Sequence, residues 1–224
     1  MAVTIGRPST APVHGVEPML GTNPISFAAP TNDDFPFCID CSTSASTRGH
    51  AEKCAREGRK LPAGNAIDSL GAEVTDATEL LRGLPRGECS LLPLGEHKGY
   101  GWATAVELFC KAFQAGASGA DLRGIDDDGE TATPLGHAFL AVDIQALSPL
   151  QDFKTHASKV LAALRASKKA PGADRIWTAG EPEYDARLRQ TKGLAVPETL
   201  QRELRCIRDA QPALKSKYPK LPFE

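Results

Sequence analysis

The stretch Pro93-Leu94-Gly95-Glu96-His97-Lys98-Gly99-Tyr100-Gly101 concentrates more usable chemistry than any other segment of the chain. Glycines let a backbone turn tightly and come close to a ligand, and an apolar helical run starts directly behind them. A helix start offers unpaired N–H groups and the positive end of the helix dipole, which together attract anions. His97 and Lys98 add donors and charge at the same place. Two readings stand here: a seat for a phosphate, or a glycine-rich helix entry with a surface histidine and lysine. The segment is neither a Walker A loop nor a Rossmann fingerprint. Its glycine spacing differs, and no apolar strand with an acidic residue about 20 positions on completes the unit.

Other candidates carry less. Cys38-Ile39-Asp40-Cys41 is a lone C-x-x-C at a strand end, and Cys54 and Cys89 do not supply the second pair that structural zinc needs. Asp126-Asp127-Asp128-Gly129-Glu130 lacks the alternating ligands and distal Glu of an EF-hand, so it reads as a solvated acidic loop. His14, His50, His137 and His156 have no carboxylate or nucleophile at a telling spacing. Gly21-Thr22-Asn23-Pro24 reads as a turn into a strand. No metal site is expected, and no catalytic residue can be named.

The elements that must position these groups are short. Ile25–Ala29 and Phe37–Asp40 read as strands, 44–57 as a helix ended by Gly58, and Ala77–Leu84 as a helical turn. From Tyr100 to Gln114 apolar residues cover most of a helix circumference, which predicts burial on nearly all sides, with Gly116 and Gly119 as stops. An acidic loop over 121–134 follows, then a strand over Leu135–Ile144, a helix over 155–168, a short strand at Arg175-Ile176-Trp177 and a helix opened by Pro197. No long βαβ rhythm exists, so the class is α+β. Residues 1–44 and 132–195 are expected to form a strand-rich part, 45–131 and 196–210 a helical part, and 211–224 a frayed tail.

With 224 residues, 41% hydrophobic and 24% charged, the composition is that of a globular protein, and a net charge of −2 argues against a nucleic-acid footprint. No run of about 18 apolar residues offers a membrane span, and Met1-Ala2-Val3-Thr4-Ile5 does not open a secretory signal. Six scattered cysteines suit free thiols in a reducing compartment.

Taken together, the segments resemble the malate/L-lactate dehydrogenase (sulfolactate dehydrogenase-like) family. The resemblance lies in Leu20-Gly21-Thr22-Asn23-Pro24-Ile25, Asp40-Cys41-Ser42-Thr43-Ser44, Gly58-Arg59-Lys60-Leu61-Pro62 with Asp68, Pro93 to Gly101, and Arg175 to Tyr184, in the family's order. It implies a non-Rossmann fold with a mixed or antiparallel sheet and a helical subdomain. It also implies NAD or NADP as cofactor, a small 2-hydroxy or 2-keto acid as substrate, and a cytoplasmic, possibly homodimeric protein. Carried over by position, the cofactor contacts would be Phe37, Cys38, Ile39, Asp40, Cys41, Ser42, Glu96, His97, Lys98, Ala179, Gly180 and Glu181.

The departures from the family matter as much. Its acid–base histidine and carboxylate-binding arginine belong to a long part that precedes Gly-Thr-Asn-Pro and is unmatched here, so the chain reads as N-terminally truncated. Thr4-Ile5-Gly6-Arg7 replaces the usual Thr-Asn-Ser, Glu96 stands where glycine or an aromatic is usual, and Asn65 where an aromatic often follows. Two functions are therefore open: an NAD(P)-dependent oxidoreductase, or a catalytically silent remnant or interaction module that keeps the scaffold.

Overall fold

The computed structural model describes residues 1–113 and 135–224. They fall into two compact units, Met1–Pro182 and Glu183–Glu224. The first unit opens with β1 (Ala2–Thr4), β2 (Ile25–Ala29) and β3 (Phe37–Cys41). Helix α1 (Arg48–Arg56), β4 (Ala66–Asp68), α2 (Ala77–Gly83) and β5 (Cys89–Leu91) come next. Helix α3 (His97–Glu107) runs into a π-helical turn at Leu108–Ala112, and β6 (His137–Phe139) and α4 (Leu150–Ala166) complete the set. Helix α5 (Glu181–Arg189) crosses the boundary, and α6 (Glu198–Ala210) and α7 (Pro212–Lys217) belong to the second unit. Both sheets are antiparallel, one in the order β3-β2-β1-β6 and the other β4-β5, which is an α+β architecture.

Local chemistry fixes most boundaries. The Thr47 hydroxyl accepts from the His50 N–H at the start of α1, and Gly58, at φ +64°, ends it. Asp76 caps α2 by accepting from the Thr78 and Glu79 amides at 2.8 and 3.0 Å. Gly83 closes α2 against Cys89, where a Cβ would lie 2.4 Å from Sγ. These helices clamp a core in which Ala51, Cys54, Leu80, Cys89 and Leu91 are buried. A second core joins Val3 and Ile5 to Val106 and Cys110 of the α3 region.

Four expectations need correction. The helix after Gly101 is not buried all round. Gly99, Ala103, Val106 and Cys110 form one buried stripe, while Trp102 is 61% and Phe113 79% exposed. Small residues let the helix approach the sheet, and a sheet can cover only one side of it. The strand expected over Leu135–Ile144 is limited to β6, because β1 offers it only three partner residues. Asp143 then starts a 3-10 turn by accepting from the Gln145 amide at 3.0 Å. Arg175-Ile176-Trp177 forms no strand with any of the described residues, and the Arg175 guanidinium lies 3.8 Å from the Trp177 ring centroid. Helix α4 also starts earlier than its apolar spacing suggests, at Leu150.

In the second unit α7 occupies part of the segment read as a frayed tail. The Glu224 carboxylate accepts from Arg205 Nε at 3.1 Å and from Arg208 at 2.5 Å, an ordering by charge that apolar spacing cannot reveal. The acidic loop over 121–134 and the glycines at 116 and 119 lie outside the described residues. Among the described residues no helix is long and apolar enough to cross a membrane.

Candidate functional site

Strand β3 is an edge strand, and each of its ends is tied to a glycine turn. At the first end the Cys38 N–H donates to the Ala179 carbonyl at 3.2 Å. Gly180, at φ +90°, packs there so closely that a Cβ would stand 2.9 Å from the Pro36 oxygen and 3.1 Å from the Cys38 nitrogen. At the other end Thr43 N–H donates to Thr22 O, and Leu94 N–H to Thr43 O, each at 2.9 Å. A Cβ on Gly99 would meet Thr43 O at 2.6 Å and Leu94 O at 2.3 Å. The segment from Cys38 to Thr43 spans about 17 Å at the rise of a strand, the scale of an extended dinucleotide.

Of the expected contact residues, Phe37 to Ser42 thus touch the Ala179-Gly180 turn at one end and adjoin the turn before α3 at the other. No hydrogen bond or ion pair joins Glu96-His97-Lys98 to Ala179-Gly180-Glu181 directly, among the described residues. Ile39, Asp40 and Cys41 are exposed. Since the Cys38 N–H faces away from β2, alternation places the Asp40 N–H on the same free edge.

The turn before α3 carries backbone strain. Gly95 has φ +59°, and Glu96 has φ +54° and ψ −119°, a conformation that suits glycine. No side chain caps α3, a Cβ at Gly95 would meet nothing within 4 Å, and His97 and Lys98 are exposed. Lys98 has no ion-pair partner among the described residues. Replacing Glu96 with glycine is expected to raise the unfolding free energy by about 1 kcal/mol. It also removes a negative charge beside the positive turn. Urea denaturation checks this, and a Glu96→Gly protein no more stable than the parent refutes the strain.

Glu181 holds the other turn. It is buried, and its carboxylate accepts from the Thr178 N–H at 3.0 Å and Oγ1 at 3.1 Å. It also pairs with Arg165 Nε at 3.2 Å and with Arg175. Arg165, from α4, reaches Asp33 at 2.6 Å as well. Through the Thr178 contacts the carboxylate ties down the turn that leads into Ala179-Gly180. Sequence reasoning missed Thr178, Arg165 and Asp33. The Thr178-x-x-Glu181 spacing, of capping-box type, was the one local signal available.

Asn23 is fully buried at φ +36°. Its Oδ1 accepts from Gly6 N–H at 3.2 Å, and its Nδ2 donates to Ala103 O at 3.1 Å and Glu107 Oε1 at 2.8 Å. The Gly-Thr-Asn-Pro turn is therefore a structural joint between β1, β2 and α3, as its turn chemistry suggested.

The sequence model of malate/L-lactate dehydrogenase matches residues 1–205. The chain belongs to that family. It is 36% identical over 187 residues to malate dehydrogenase of Pyrococcus horikoshii, a match covering 82% of this chain and 51% of that one. It is 34% identical over 208 residues to the Delta(1)-pyrroline-2-carboxylate reductase of Ancylobacter novellus, covering 91% and 57%. Among solved structures, malate dehydrogenase from Entamoeba histolytica superposes with a TM-score of 0.87 at 32% identity, over 99% of this chain and 62% of that chain. The present member spans little more than half the length of these relatives.

Proposed function

We propose that this member of the malate/L-lactate dehydrogenase family provides the dinucleotide side of an oxidoreductase acting on small 2-hydroxy or 2-keto acids, with NAD or NADP as cofactor. The observation that carries the reading is β3, an edge strand held at both ends by glycine turns, one of them beside Lys98. The residues present fit a dinucleotide: Lys98, His97 and the open turn at Gly95 suit its phosphates, and the free edge at Asp40 suits its polar groups. When bound, that group supplies or accepts the hydride. The chain's part is to hold it extended along Phe37 to Ser42, with Ala179-Gly180 as the end stop. The work is cytoplasmic under this reading.

Titration of the full chain with NADH and NADPH, followed by nicotinamide fluorescence, tests it. Saturable binding is expected, weakened about tenfold in Lys98→Ala by loss of a charged hydrogen bond. A folded chain that binds neither nucleotide overturns the reading.

One observation favours a second reading, a scaffold that binds without turning over: the apolar outer side of α3 and of the turn that follows it, where Trp102, Phe109 and Phe113 are exposed. Such a face suits a surface that works only when covered by a partner. NADH binding without oxidation in the presence of oxaloacetate or pyruvate supports this reading, and turnover by the chain alone dismisses it.

A further inference from the structure

Val3, Ile25 and Ala138 point from the four-stranded sheet into the core that holds Val106 of α3. Alternation therefore turns Ala2, Thr4, Ser26, His137 and Phe139 to the other face. Pairing sets Asp40 beside Ser26, Ala2 beside both Ser26 and Phe139, and Thr4 beside His137. The result is a recess of about 190 Å3, with a floor of small side chains, two rings at one end and the Asp40 carboxylate at the other. It is smaller than a pocket for a whole nucleotide and suits a single planar ring. The His137 and Phe139 rings lie within 28° of parallel, with centroids 6.4 Å apart. An inserted ring in van der Waals contact on both its faces needs about 7 Å. Phe139 is 81% exposed, so it can yield the small remainder.

Such a slot recognises a flat heteroaromatic ring by stacking, and a carboxylate beyond it recognises the hydroxyls of an attached ribose. The Asp40 side chain has no ion-pair or hydrogen-bond partner among the described residues. Phe139 and Asp40 stand three strand spacings apart, about 14 Å, a gap that a base, a ribose and the reach of an aspartate span together. A nicotinamide dinucleotide has two rings, and chemistry chooses between them. Hydride leaves from a face of the nicotinamide ring, so a ring clamped on both faces cannot deliver it. The clamped ring is the one that takes no part in the reaction. We propose that this recess seats the adenosine half of the dinucleotide, with adenine between His137 and Phe139 and the ribose hydroxyls on Asp40. The placement rests on the dinucleotide reading and adds His137 and Phe139 of β6 to it, two residues that the family resemblance does not point to.

Calorimetric titration of the full chain with AMP, its 2′,3′-dideoxy form, nicotinamide mononucleotide and NADH tests the placement, with melting curves confirming that each variant is folded. AMP is expected to saturate one site and to compete with NADH, and nicotinamide mononucleotide is expected not to displace it. Phe139→Ala and Phe139→Leu each weaken AMP and NADH about tenfold, as loss of one base–aromatic stack does, whereas Phe139→Tyr keeps the affinity. Asp40→Asn weakens AMP and leaves the dideoxy form unchanged. The placement is overturned by a Phe139→Ala protein that binds AMP as the parent does, by nicotinamide mononucleotide displacing AMP, or by the dideoxy form binding as tightly as AMP. NADH binding that is unchanged in Phe139→Ala, or that occurs without AMP binding, defeats this placement alone. A folded chain that binds neither AMP nor NADH defeats the dinucleotide reading with it. AMP binding that is lost in Phe139→Ala, with no binding of NADH, supports the adenosine seat and defeats the dinucleotide reading.

Discussion

Replacement of Asn23 by alanine is expected to lower the unfolding free energy by about 3 kcal/mol, the largest loss from any single polar group discussed above. The substitution removes an acceptor from the Gly6 amide and a donor from both the Ala103 carbonyl and the Glu107 carboxylate. Asn23 has no exposed surface, so water cannot replace those bonds without opening the joint. The backbone at φ +36° also suits asparagine better than alanine. Gly21 cannot yield space, because even a Cβ there would lie 2.4 Å from Asn23 Oδ1 and 2.5 Å from Gly6 O. In urea the midpoint should fall while the slope is unchanged. A loss under about 1 kcal/mol would mean the three bonds contribute little net stability. Because α3 is anchored through Ala103 and Glu107, the variant should also bind NADH less tightly at temperatures where it is still folded.

The parts of the fold legible in the sequence are those whose causes are local. Strands β2 and β3 follow from apolar runs between turn residues, and α1 from alanines and charges at helical spacing ended by Gly58, although its threonine cap, Thr47, lies inside the span read as helix. The turn before α3 is visible in its glycines. What the sequence hides depends on distant partners. The apolar pattern of α3 says that both its sides are greasy, and only the sheet reveals that Gly99, Ala103 and Val106 face inward. The alternation over Leu135–Ile144 is genuine, yet it makes a strand only where β1 is there to pair with it. Family resemblance pointed to Glu181 but could not name Arg165 of α4 as its partner, nor Asp33, more than a hundred residues before Arg165, as the other carboxylate on that guanidinium.

Glu181 is where the second large effect is expected. Burial pushes its carboxyl toward the neutral form. The Thr178 amide and hydroxyl, then Arg165 and Arg175, outweigh that and hold it below the ordinary value of 4.5. A carboxylate with a depressed folded value contributes stability that is fully present above the unfolded value and is lost as pH falls through the folded one. Glu181→Ala leaves Arg165 and Arg175 without this acceptor and the Thr178 N–H unpaired. At neutral pH it should cost about 2–3 kcal/mol, less than a fully buried pair because both arginines are partly exposed. Glu181→Gln keeps one acceptor oxygen but not the charge and should lose less. The decisive comparison is the pH dependence of the gap between the parent and Glu181→Gln. It should be constant above about pH 5 and close as the pH is lowered below the ordinary carboxylate value. A gap of the same size at about pH 3 would show that charge is not what holds this turn. If the gap closes while NADH binding falls in both variants, Glu181 acts on the site by placing Ala179-Gly180 against Cys38, without contacting the nucleotide.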